Sequence, residues 1–196
     1  MLRSLVGSEM CIRDSHLSFN DADYKTKGNF IKWNPSIKTI EDQNALWDAL
    51  RSDKIDVIAT DHAPHTFNEK NQLYVDCPSG GPLVQHSLYI MYEHFLEKRI
   101  SLEKIVEKMC HNPAILFNIK KRGFIREGFF ADLVILRKNQ SWVINKNNIL
   151  YKCGWSPFEG KKINSMITHT FVSGNLAYEN GVFNQNIMGK KIEFNS

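Results

Sequence analysis

The sequence predicts an α/β protein that closes with a small β unit, and three observations carry that prediction. A helical stretch, Thr39 to Arg51, runs directly into the apolar, β-branched segment Ile55-Asp56-Val57-Ile58-Ala59-Thr60. That segment has the composition of a buried parallel strand and ends in a polar loop, the rhythm of an α/β barrel or doubly wound sheet. Beyond Gly123 the helical period gives way to short strand-like runs broken by turn residues.

Each element has a local cause. Thr39 with Asp42 three residues on is a capping-box pattern, and Ala45, Leu46, Ala49 and Leu50 then fall on one helical face. After the loop Pro78-Ser79-Gly80-Gly81 a second helix is expected from about Leu83 to Lys98. A third begins at Ser101, an N-cap residue, and runs to about Cys110. Asn112-Pro113 is expected to restart a helix, with Asn as cap and Pro where its missing N–H does no harm. Ala131 to Arg137 reads as a strand and Trp142-Val143-Ile144 as another. Ile167 to Val172 and Leu176 to Tyr178 flank the hairpin-like turn Ser173-Gly174-Asn175, and Glu179-Asn180-Gly181 turns the chain into Val182-Phe183.

Composition narrows the function classes. The 196 residues are 42% hydrophobic and 23% charged, which suits a soluble globular chain able to bury a core. Net charge is +4 with Lys and Arg dispersed, which argues against a dedicated nucleic-acid surface; Lys120, Lys121 and Arg122 read as a solvated helix end. The four cysteines lie far apart without a CxxC, so free thiols in a reducing compartment are expected. No stretch approaches the length of a membrane span, and the first residues lack the apolar run of a signal peptide, so a cytoplasmic location is expected. Residues 1–15 fit neither part of the chain. Ser8 to Ser15 has no clear period and looks like translated sequencing-adapter sequence, so this stretch is expected to be non-native.

The segment with the most chemistry is Ala59-Thr60-Asp61-His62-Ala63-Pro64-His65. An acid at the C-terminal end of a buried strand points into the mouth of a barrel, where carboxylate and imidazole groups can hold a divalent cation and move protons. On spacing alone, a helix-capping Asp and two surface histidines in a polar loop describe it equally well.

The string Thr60-Asp61-His62-Ala63-Pro64-His65 resembles the signature of the dihydroorotases, cyclic amide hydrolases of the amidohydrolase superfamily. His16-Leu17-Ser18-Phe19-Asn20-Asp21 looks like the segment after that family's sixth barrel strand, and Lys32-Trp33-Asn34-Pro35 like its seventh strand. Pro78-Ser79-Gly80-Gly81-Pro82 fits the loop after the eighth, while Gly123-Phe124-Ile125, Gly128 and Ala131-Asp132-Leu133-Val134 resemble the closing β segment. The resemblance runs from about His16 to about Phe183. It implies the C-terminal part of a (β/α)8 metal-dependent hydrolase barrel over 16–120, then part of a β-sandwich over 121–196.

The resemblance also implies roles. Asp61 would ligate a metal and serve as base and acid, and His16 would ligate a second metal. Asn34 and His65 would hold the substrate, His65 by pairing with the substrate's carboxylate, and backbone N–H groups around Gly80 or Gly81 would fix the ring. A hydroxide held by two Zn2+ ions would attack the ring amide, interconverting dihydroorotate and N-carbamoyl-L-aspartate in pyrimidine synthesis. The family's other metal ligands lie on earlier strands, and no histidine precedes His16. The chain alone is therefore expected to lack activity and to bind zinc weakly. The neighbouring reading is a dihydropyrimidinase, hydantoinase or allantoinase, which usually places a non-basic residue at the His65 position. A non-catalytic subunit supporting aspartate transcarbamoylase is the alternative from another class; a homo-oligomer is compatible with either. His62, His86, His94, His111 and His169 read as ordinary fold or surface histidines, and Trp33 and Trp155 as packing.

Overall fold

A computed structural model describes residues 11–195, which divide into two compact units with interleaved chain segments. The first comprises the chain through Ile100 together with Val143–Lys162; the second comprises Ser101–Trp142 and the chain from Ile163 onward.

In the first unit, β1 (Cys11–Arg13) and β2 (Val57–Ala59) pair in parallel, with Cys11 opposite Val57 and Arg13 opposite Ala59. Between them lie α1 (Asp14–Ser18), α2 (Tyr24–Lys27) and α3 (Ile40–Arg51). The expected capping box forms at the start of α3. Thr39 Oγ1 accepts from the Asp42 N–H, and the Asp42 carboxylate accepts from the Thr39 N–H. The buried stripe, however, runs through Gln43, Trp47 and Leu50, and Ala45 is exposed, which corrects the expected face. Trp47 sets that face because it is the largest apolar side chain of the helix. Its indole N–H donates to the Leu17 carbonyl at 3.0 Å, and the Gln43 amide donates to the Phe19 carbonyl at 2.8 Å. Both polar atoms enter the core with a partner, and α3 is thereby locked to the segment after β1.

Lys32 to Asn34, which the resemblance places in a strand, forms none. A 3-10 turn, Gly28–Ile31, leads into it, and the Lys32 carbonyl is taken by a loop N–H from Gly80 at 3.0 Å. The signature loop is followed by the short α4 (Phe67–Lys70), capped by Thr66 with Glu69. Next comes α5 (Ser87–Leu96), which begins later than expected because Leu83–His86 closes as a turn. Tyr89, Ile90, Met91, Tyr92 and His94 are all buried, so α5 is enclosed on most sides. From Val143–Lys162, Ile144, Trp155 and Phe158 complete the core of this unit.

The second unit holds α6 (Leu102–Val106), whose N-cap Ser101 accepts from the Lys104 N–H as expected. It runs through a π turn (Glu107–His111) into α7 (Asn112–Leu116). α7 starts at Asn112 with Pro113 in its first turn, as expected, but it continues directly from the π turn, so the cap position falls on His111 and not on Asn112. Its N–H instead reaches back to the Glu107 carbonyl, a widened turn that carries the helix past Pro113. A four-stranded sheet follows in the order β3 (Leu133–Val143), β4 (Lys162–Val172), β5 (Asn175–Glu179), β6 (Val182–Phe183). Trp142-Val143 is the end of β3 rather than a separate strand. The β4–β5 and β5–β6 connections turn at Ser173-Gly174 and Asn180-Gly181, all four residues at positive φ, the two-residue hairpin geometry. The four cysteines are free. No helix among the described residues is long and apolar enough to cross a membrane.

Candidate active site

The first unit positions every residue singled out by the signature. β2 ends at Ala59, and two residues on Asp61 stands at φ 47, a left-handed conformation that Asp tolerates better than most residues. Its carboxylate is half exposed and pairs with the Arg13 guanidinium at 2.8 Å. Arg13 is a contact that the motif reading missed; only the parallel pairing of β1 with β2 brings it there.

The rest of the signature is pinned to the Gly80–Gly81 loop. His62 and Gly81 form an isolated parallel bridge, and the Ala63 N–H donates to the Gly81 carbonyl at 3.2 Å. His62 Nδ1 accepts from the Leu83 and Val84 N–H groups at 3.0 and 3.3 Å, which fixes its proton on Nε2 and gives it the structural role expected. His65 Nε2 donates to the Ser79 carbonyl at 3.1 Å, while its own carbonyl accepts from the Trp155 indole at 2.8 Å. His65 is thus anchored at both ends to its surroundings.

Gly80 is sterically required, and Gly81 is tightly enclosed. At Gly80, with φ 119, a Cβ would stand 2.8 Å from both the Cβ and the carbonyl oxygen of Ala63. At Gly81 it would meet the rings of Trp33 and Trp155 at 3.3 Å each, which is the packing role expected of both indoles. The Gly80 N–H is directed to the Lys32 carbonyl, so it joins the two candidate substrate segments to each other.

Asn34 is exposed, and its carbonyl accepts from Arg13 at 2.7 Å. His16 lies in α1 and is buried; its Nε2 faces the Pro35 carbonyl at 3.1 Å. Burial lowers its pKa, with the Pro35 hydrogen bond opposing. Asp61, Asn34, His65 and the glycine loop are therefore gathered by Arg13 and by backbone pairing, whereas His16 reaches the group through Pro35. Among the described residues, no cluster of three or more His, Cys, Asp and Glu side chains comes together to hold a metal ion. With Asp61 paired to Arg13 and His16 turned to a carbonyl, the residues present do not by themselves fit a metal pair.

Polar groups gathered in loops beyond the C-terminal ends of parallel strands mark the α/β class whose sites lie at that end. The chain belongs to the amidohydrolase family, whose model matches residues 14–177. It is 34% identical to the dihydroorotase of Pyrococcus furiosus over 164 residues, which is 84% of this chain and 38% of that protein. It is 32% identical to the dihydroorotase of Clostridioides difficile over 164 residues, 83% of this chain and 38% of that one. Among solved structures, the L-hydantoinase (dihydropyrimidinase) from Arthrobacter aurescens superposes with a TM-score of 0.80 at 29% identity, over 88% of this chain and 40% of that one. A D-hydantoinase superposes with a TM-score of 0.81 at 23% identity, a likeness of fold alone. The chain thus spans about two fifths of the length of the relatives it matches.

Proposed function

We propose that this chain is the C-terminal share of a zinc-dependent cyclic amide hydrolase of the dihydroorotase kind, acting on dihydroorotate and N-carbamoyl-L-aspartate in pyrimidine synthesis in the cytoplasm. The observation that carries the reading is the bonding of His65 and the Gly80–Gly81 loop into one group, adjoining the signature acid Asp61. The similarity to dihydroorotases supports it. In this reading the first unit is built from the last strand–helix turns of a (β/α)8 barrel, and the β3–β6 sheet is part of a sandwich.

The roles follow from the chemistry of each group. Asp61, half exposed at a strand end, is the proton acceptor and donor. His65 supplies a basic group for the substrate carboxylate, with Asn34 and the backbone at Gly81 alongside. Zinc is the metal of the complete site, to which this chain brings Asp61 and His16. Alone, what the chain offers is proton transfer and substrate recognition. Of residues 1–15, residues 1–10 lie outside the described residues, Cys11–Arg13 forms β1, and Asp14 and Ser15 fall within the family match.

The likeness to the hydantoinase structures favours a second reading, a hydrolase of uncharged cyclic amides. Titrating the chain with L-dihydroorotate and with dihydrouracil, followed by amide NMR shifts, separates the two. Shifts at Asn34, His65 and Gly81 with dihydroorotate only, lost in His65→Leu, are the expected result. Equal responses to both ligands, unchanged in His65→Leu, would remove the dihydroorotase reading.

A further inference from the structure

Lys70 is the last residue of α4 and is fully buried. Its ammonium donates to the Pro78 carbonyl at 2.9 Å and to the Lys32 carbonyl at 3.3 Å. Among the described residues no carboxylate pairs with it, and burial lowers its pKa. The surroundings repeat the theme. The Lys32 carbonyl also receives the Gly80 N–H at 3.0 Å, and the Lys32 ammonium donates to the carbonyls of Tyr74 and Cys77 at 2.5 Å each. Two lysines thus hold three carbonyls of the 74–78 segment: Lys32 ties it through its own ammonium, and Lys70 ties Pro78 to the Lys32 carbonyl.

A buried ammonium without a counter-ion is an expensive way to fill space, because its hydration is lost and carbonyls return only part of it. Methionine would fill the same volume without that cost. What methionine lacks is the ability to fix two carbonyls from segments 46 positions apart in the chain, those of Lys32 and Pro78. Pro78 leads directly into Ser79, which binds His65, and Gly80, which binds Lys32.

We infer that Lys70 is a positioning residue: its buried ammonium sets where the Ser79–Gly81 backbone stands against Lys32–Asn34, and so fixes the groups presented to the substrate. That these groups face a substrate rests on the proposed function; the clamp itself rests on the geometry. Lys70 touches no reacting atom in this scheme and acts through Pro78 and Lys32.

The test is amide hydrogen exchange on the whole chain, comparing wild type with Lys70→Met, which keeps the length of the side chain and removes the ammonium. The Gly80 and Ala63 amides should exchange about ten-fold faster or more, while Ile90 and Met91 in α5 stay within about two-fold. Unchanged exchange at Gly80 overturns the inference. So does a uniform acceleration across the first unit, which would mark Lys70 as a general stabiliser of the fold. If Lys70→Met does not fold, the wild-type ammonium decides instead. A slowly exchanging Lys70 Nζ signal with contacts to Pro78 and Lys32 supports the clamp, and a solvent-averaged signal overturns it. Adding L-dihydroorotate distinguishes the two levels of the argument. If wild type shows no response at Asn34 or His65 while Gly80 exchange still depends on Lys70, the clamp stands and the substrate reading falls.

Discussion

The Arg13 guanidinium joins Asp61 to Asn34, meeting the carboxylate of one at 2.8 Å and the carbonyl of the other at 2.7 Å. A cation therefore sits on the acid that the family likeness assigns to a metal. Arg13→Gln should raise the zinc affinity of the chain roughly five- to ten-fold, since a competing and like-charged group is removed. Stability should change by less than about 1 kcal/mol, because the pair is partly exposed. Calorimetric zinc titration and urea unfolding check the two halves separately; equal zinc affinity in both proteins refutes the first.

Gly80→Ala should disrupt the loop, because its Cβ would enter the space of Ala63 and its backbone lies at φ 119. The expected loss is about 2–3 kcal/mol from strain and overpacking. It should show as an earlier urea midpoint and as loss of the dihydroorotate response. An Ala variant as stable as wild type would mean that the loop has room to shift.

Removing the α3 cap is a milder test. Thr39→Ala deletes the acceptor of the Asp42 N–H and the hydroxyl that donates to the Asp42 carboxylate. About 1 kcal/mol should be lost in denaturant unfolding, with an unchanged slope.

Acid sensitivity should come from two buried imidazoles. Burial pushes the pKa of His86 and of His94 down to about 4 from an ordinary 6.5. Between those values the unfolded chain binds protons that the folded one refuses, so stability rises with pH across the window and falls as pH drops through it. Each group accounts for on the order of 3 kcal/mol by pH 4, relative to its contribution above pH 6.5. Asp14, whose pKa burial raises to about 7, takes up a proton on folding and offsets about one imidazole over the same window. His86→Gln should therefore remove most of the net slope in urea midpoints taken from pH 4 to 7. A slope identical to wild type would assign the effect elsewhere.

Much of this was readable in the residues. The Thr39 box, the Ser101 cap and both two-residue turns depend on a few neighbouring side chains, and local chemistry decides them. The signature from Thr60 to His65 was legible for the same reason: it is contiguous. Errors arose where distant atoms decide. The buried face of α3 follows the carbonyls that Gln43 and Trp47 reach 24 and 30 residues away. Lys32–Asn34 meets the Gly80 N–H and the Lys70 ammonium at one carbonyl instead of forming a strand, and Asn112 lies inside the helix because a wider turn satisfies its N–H. Arg13 and Lys70 were invisible as contributors, since nothing in their local sequence says which backbone or carboxylate they meet.

The interleaving of the two units has a practical consequence for anyone wishing to dissect the protein. The chain leaves the first unit at Ile100, re-enters at Val143 and leaves again after Lys162. No single cut yields either half intact: a polypeptide ending at Ile100 forfeits Trp155 and Phe158 from its own core. Isolating the second unit needs a splice that joins Trp142 to Ile163, not a truncation.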